Sequence, residues 1–133
     1  MNVVTLDPAV RDFAKAPNFA SLASFMPNGS LQTHVMWIDC DEEHIIFNTE
    51  VHRQKFRNIE RDPRVTVLIW DKDNPYRFAE IRGRVVSTER GSSALAHIDS
   101  LAVKYTGKPF GLASIQSERV IVRIHPDRQM VRG

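Results

Sequence analysis

A single cysteine, Cys40, stands in 133 residues, so no intramolecular disulfide can brace the chain and its core must come from packing. There is no Cys-x-x-Cys pair, and His97 and His125 have no partner at metal-ligand spacing, so no structural metal is expected. Charge of one sign is also lacking. The 18 Lys+Arg against 16 Asp+Glu leave a formal charge of only +2, too weak a field for a nucleic-acid binder. No apolar run is long enough for a membrane span, and the opening Met1-Asn2-Val3-Val4-Thr5-Leu6-Asp7-Pro8 has neither the basic region nor the apolar stretch of a signal, so no membrane contact and a cytoplasmic location are expected. Cys40 lies in the acidic turn Asp39-Cys40-Asp41-Glu42-Glu43, where negative neighbours disfavour a thiolate and argue against a catalytic cysteine.

Repeats, low-complexity tracts and linkers are absent, so residues 1–133 read as one domain. A domain this small leaves apolar surface near its edges, which dimerisation would cover. Asp7-Pro8 suits a helix start, and Val10, Phe13 and Ala14 recur at helical spacing before Pro17. Residues 19–25 and 31–38 read as strands joined by a hairpin with Asn28-Gly29 at its tip. A turn over 39–43 leads to a third strand at 44–48, and the three are expected to form an antiparallel meander. Further strands are expected over 65–70, 76–88 and 120–125, the last stopping before Pro126. The long strand should bend, or be closely approached, at Gly83. Ser92 or Ser93 caps a third expected helix in which Leu95, Ile98, Leu101, Ala102 and Tyr105 recur, with Gly107 at its end. Six strands and three helices in this order predict a small antiparallel barrel, mainly β with α+β character.

The most informative stretch runs from Asn48 to Arg64, where Arg53, Lys55 and Arg57 follow the apolar run Ile45-Ile46-Phe47. Phe56 and Ile59 mark a short helix that Asp62-Pro63 closes. Backbone N–H groups at a helix start, with guanidinium and ammonium heads nearby, make a phosphate site. On a regular helix Arg53 and Arg57 share a face, whereas Lys55 projects about 200° away, so the three must reach different groups. A solvated basic face is the plainer reading of the same spacing.

The chain resembles the pyridoxamine-phosphate-oxidase-like split β-barrel superfamily, in its branch of small oxidoreductases that use coenzyme F420, a deazaflavin. The resemblance spans nearly the whole chain. It rests on the hairpin from Asn28 to Trp37, on Phe47-Asn48-Thr49 leading to the run from Lys55 to Val65, on Asn74-Pro75-Tyr76-Arg77 with Ile81-Arg82-Gly83-Arg84-Val85, and on Tyr105-Thr106-Gly107. It implies a six-stranded antiparallel split barrel of the FMN-binding type and a homodimer with cofactor sites between subunits. The phosphate and acidic tail would meet Arg53, Lys55 and Arg57, and the ring would lie beside Thr33, His34 and Met36. Asn48 and Thr49 would approach the cofactor at a strand end, and Pro75 and Tyr76 would reach the cleft from the partner subunit. Glu50 departs from this pattern by placing a carboxylate near the phosphate. The activity implied is hydride transfer to a small conjugated acceptor, an enone, quinone or tetrapyrrole. The same fold leaves open an FMN-binding oxidase or flavin store, and a non-enzymatic haem or tetrapyrrole module. FMN lacks the acidic tail that the extra arginines suit. No catalytic residue is assigned: His34 reads as a half-buried filler before it reads as an acid, and Trp37, Trp70 and Tyr105 read as packing residues.

Overall fold

The computed structural model describes residues 4–133. The leader-free reading of Met1, Asn2 and Val3 lies outside them. Proline at the first position opens α1 (Pro8–Lys15), which buries Val10, Phe13 and Ala14. Asp7 holds the cap position without a side-chain cap; its backbone N–H donates to Gln129 Oε1 at 2.7 Å. The hairpin of β1 (Phe19–Phe25) and β2 (Leu31–Met36) closes on Gly29, whose φ of 86° lets Met26 N–H reach Ser30 O at 2.8 Å. Then follow β3 (Asp39–Cys40), β4 (Ile45–Glu50), α2 (Gln54–Arg61), β5 (Arg64–Trp70), β6 (Phe78–Arg90), α3 (Ser92–Thr106), a single 3-10 turn and β7 (Arg119–Arg132).

These strands form one antiparallel sheet of seven, in the order β2-β1-β5-β6-β7-β4-β3. Six strands and a closed barrel were expected; residues 39–40, read as turn, make a seventh strand against Ile45 and Ile46, and the sheet is not closed. Nor does the meander form, because β2 pairs with β1 while β4 pairs with β7. The reason lies at Ile38. Its N–H donates to Tyr105 Oη at 3.1 Å and its carbonyl accepts from Lys104 Nζ at 2.7 Å. Groups taken by α3 are not offered to a neighbouring strand, so β2 stops and the chain turns into β3.

The last strand also runs past its expected end, through Pro126. Pro126 faces Gly83, where the β6–β7 register slips, and a bulge is where a strand tolerates a residue without an N–H. Gly83 is required there: a Cβ would lie 1.9 Å from the His125 carbonyl oxygen. In α3 the buried stripe is Ala94, Ile98, Leu101 and Ala102, while Leu95, expected inside, is 40% exposed. Gly91, not a serine, stands at its start, and Gly107 at its end has φ 81°. Phe47, Phe56, Leu22, Ile69, Ile81 and Ile124 anchor the main core, and Ile46, Ala94 and Ile121 form a smaller one under α3.

Gly83→Ala must push β6 off His125, so chemical denaturation is expected to show a loss of roughly 2–4 kcal/mol, at the severe end for a single methyl group.

Candidate functional site

A cavity of about 250 Å³ lies where the end of β2, β4, α2 and α3 converge, walled by Met36, Trp37, Asn48, Lys55 and Leu101 together with Phe19 and Val35. Four strands separate β2 from β4 in the sheet, so only the curl of the sheet brings Met36 and Asn48 to one place. Grooves of about 440 and 510 Å³ flank α1. They are wider, but the smaller cavity is the one that holds a mostly buried cation without a counter-charge.

That cation is Lys55. Its Nζ lies 5.9 Å from the centre of the Phe47 ring and, among the described residues, pairs with no carboxylate. Burial first, then Arg53 and Arg119, pull its pKa down to about 8. Lys104 also falls to about 8, chiefly through burial, yet its Nζ donates to Ala14 O at 2.6 Å and Ile38 O at 2.7 Å. One lysine is thus satisfied by the fold, and the other has no hydrogen-bond acceptor among the described residues.

Glu50, the departure noted in the sequence, is committed to groups of its own fold. It is 2% exposed and accepts the N–H groups of Gln116 at 2.6 Å and Ser117 at 2.8 Å through Oε1. Burial would raise its pKa, but these bonds and Arg119 outweigh it and hold the carboxylate ionised. Its Oε2 lies 3.6 Å from Arg119 Nη1 and 4.0 Å from Arg53 Nη2. Two arginines therefore share one carboxylate while Lys55 has none among the described residues, and the neighbourhood carries an excess of positive charge.

His34 is exposed on β2, and partial burial, then Lys55 and Arg53, lower its pKa. That shift favours its neutral form. His34 and Met36 share one face of β2, and Thr33 is exposed on the other. Asn48 is buried with both ends of its amide engaged: Nδ2 lies 2.9 Å from Ala94 O and 3.1 Å from His97 Nδ1, and Oδ1 accepts from Arg119 Nε at 2.8 Å. Thr49 is buried opposite Val120, on the core face with Phe47. Arg57 is exposed and, among the described residues, joins none of these contacts. Pro75 and Tyr76 sit in a turn tied by Asp71 Oδ1, which accepts from Asp73 N–H at 2.8 Å; Tyr76 is 85% exposed and does not wall the cavity of its own chain. The structure thus gathers His34, Met36, Asn48, Arg53 and Lys55, and leaves Thr33, Thr49, Arg57, Pro75 and Tyr76 outside the cluster.

Sequence reading missed Arg119 and the aromatic wall. Trp37 stacks on Tyr105 with ring centres 5.2 Å apart and meets Phe110 edge-on at 6.5 Å; the Arg119 guanidinium lies 5.2 Å from the Phe110 centre. The Tyr105 hydroxyl bonds to Ile38 N–H and Asn18 O, and burial pushes its pKa up to about 12, so this ring is a packing residue. A signal for Arg119 existed: it opens an apolar strand as Glu50 closes one, and antiparallel pairing sets them opposite. Burial also pushes the Cys40 thiol up, and no group of three or more metal-ligating side chains occurs among the described residues. No described helix is long and apolar enough to cross a membrane.

A pKa depressed in the fold from 10.5 to about 8 means that the charged Lys55 opposes folding at every pH below about 8, and that this opposition fades as pH rises toward 10.5. Lys55→Met is therefore expected to raise the thermal midpoint of the protein without added ligand at pH 7 by roughly 3 °C or more, with a smaller gain at pH 10. Differential scanning calorimetry at the two pH values checks it.

Comparison with known proteins places this geometry. The family model for pyridoxamine 5'-phosphate oxidase matches residues 6–130. None of the curated proteins matches the chain significantly. Among solved structures, an F420 reductase is 30% identical with a TM-score of 0.82, over 94% of this chain and 98% of that one. A conserved hypothetical protein from Mycobacterium tuberculosis is 26% identical with a TM-score of 0.75, over 99% and 88%. HutZ, the heme storage protein from Vibrio cholerae, is 18% identical with a TM-score of 0.71 over 96% and 95%, a likeness of fold alone. With the family match running from Leu6 before α1 to Met130 on β7, this chain belongs to the pyridoxamine 5'-phosphate oxidase family.

Proposed function

We propose that this chain is an F420-dependent oxidoreductase, a cytoplasmic homodimer that passes hydride from the reduced deazaflavin to a small conjugated acceptor such as an enone, quinone or tetrapyrrole. The observation that carries the reading is Lys55, a mostly buried ammonium with two guanidiniums nearby and no carboxylate partner among the described residues. A site with surplus cations fits an anion, and F420 carries a phosphate and an acidic tail. The 30% identity to an F420 reductase over nearly all of both chains supports that cofactor above FMN.

In this reading Lys55 and Arg53 hold the phosphate, while Arg57, on the outer surface of α2, meets the tail. Met36 and His34 on one face of β2, and Thr33 on the other, lie at the sheet edge beside the ring; Asn48 and Thr49 fix the strand end below it. Exposed Leu31 (65%) and Val35 (66%) on that edge, and Tyr76 in its turn, give the dimer apolar surface to cover, with Pro75 and Tyr76 completing the partner's cleft. When bound, the reduced cofactor supplies the hydride. The chain's own residues position the reactants and surround the charge that develops on the acceptor with cations. His34, neutral beside Lys55 and Arg53, is not the obligatory proton source, and water protonates the product.

Lys55→Ala and Arg53→Ala are each expected to weaken F420 binding by roughly one to two decades in a fluorescence titration, because a charge-assisted contact contributes about 1.5–3 kcal/mol. His34→Ala is expected to lose less than about a hundredfold in turnover, below the upper range of general acid catalysis. Unchanged F420 affinity in both cation variants removes α2 from the site; a thousandfold loss at His34 with both ligands still bound makes that histidine the proton donor.

A further inference from the structure

Arg119 is linked to the end of α1 by an unbroken polar chain that passes through His97 of α3. Lys15 Nζ bonds to Asp39 Oδ1 at 2.9 Å, Asp39 Oδ2 lies 3.2 Å from His97 Nε2, and His97 Nδ1 lies 3.1 Å from the Asn48 amide nitrogen. Asn48 Oδ1 then accepts from Arg119 Nε at 2.8 Å.

Every proton in this chain has one consistent position. Asn48 spends one amide hydrogen on Ala94 O and the other on His97 Nδ1, so that nitrogen is the acceptor and the imidazole proton sits on Nε2, donated to Asp39. Burial would raise the Asp39 pKa, but the bonds from His97, Lys15 and Cys40 N–H outweigh it and keep the acceptor ionised. A reversed Asn48 amide would set its oxygen against the Ala94 carbonyl and the His97 lone pair, and its NH2 against Arg119. The amide is locked, and with it the guanidinium.

Asn48 therefore has no free group for a ligand, whereas Arg119 does. Its Nε is taken, but its Nη1 faces Glu50 Oε2 only at 3.6 Å, beyond a hydrogen bond, and that oxygen is shared with Arg53. The guanidinium rests on Phe110 and is among the charges that depress Lys55.

We propose that Arg119, which lies beside the cleft behind its wall residue Asn48, is a further anion-contacting residue there, and that Asp39, His97 and Asn48 are positioning residues that aim its guanidinium. The assignment rests on the proposed function for the identity of the anion, the phosphate or acidic tail of the cofactor. It also explains why a buried asparagine follows the apolar run Ile45-Ile46-Phe47 within β4: it is the hinge pin between α3 and Arg119.

The test compares wild type, Arg119→Ala, His97→Ala and His97→Gln, titrated with F420 and with the deazaflavin riboside that lacks both phosphate and tail. Arg119→Ala should weaken F420 by about tenfold or more and the riboside by less than about twofold. His97→Ala should show the same selective loss at about threefold or more, and His97→Gln, whose amide can accept from Asn48 and donate to Asp39, should come within about twofold of wild type. Equal losses on both probes, or undiminished F420 binding by Arg119→Ala, overturn the proposal. If wild type binds FMN but not F420, the deazaflavin reading fails, and a selective loss on FMN over riboflavin in Arg119→Ala still upholds the anion contact. Binding of neither phosphorylated cofactor overturns both.

Discussion

The long ribbon of β6 and β7 is the constraint on which the rest of the molecule depends. It pairs from Phe78↔Arg132 to Arg90↔Val120, carries β5, β1 and β2 on one edge and β4 and β3 on the other, and slips register twice, at Gly83 and before Ser87. Bulges add local bend and twist to a strand, so a sheet that would otherwise extend flat is curled at two points. That curl returns β2 toward β4. Without it Met36 and Asn48 would stand with four strands between them, and Lys55 would have no wall to face.

Electrostatics inside this curl run against folding and in favour of binding. Glu50 spends one oxygen on the backbone of 116–117 and offers the other to two arginines, leaving Lys55 with the Phe47 ring and no anion among the described residues. Buried charge without a partner is costly, and its retention at a concave surface is what the proposed anion site calls for. Lys104 shows the alternative, since two carbonyls satisfy it and it serves α3 packing. The two lysines are depressed to about the same pKa, and their hydrogen bonds tell them apart.

Local chemistry in the sequence was sufficient for most elements. Pro8, the Asn28-Gly29 tip, Asp62-Pro63 and Gly107 placed the ends of α1, the first hairpin, α2 and α3 close to where they occur, because each acts within a few residues. Strand order was not legible, since the choice between β2 and β7 as partner for β4 turns on Tyr105 and Lys104 reaching Ile38, contacts more than sixty residues apart in sequence. Pro126 misled for a similar reason: it ends a strand unless the ladder bulges, and the bulge, which leaves Asp127 unpaired between Pro126↔Gly83 and Arg128↔Arg82, appears only once β7 is set against β6. In the site, Arg53 and Lys55 were visible as a basic run after an apolar strand. Arg119 was not, because only the antiparallel register of β4 and β7 sets it opposite Glu50.

The proposed function requires that a deazaflavin held in this cleft pass hydride directly to a conjugated acceptor. The most direct measurement follows the label from F420 reduced with deuterium at its reactive ring carbon into the product of an active reaction, by mass spectrometry. Deuterium recovered on the carbon of the reduced acceptor is the predicted result. Turnover with an unlabelled product in protonated water would contradict it.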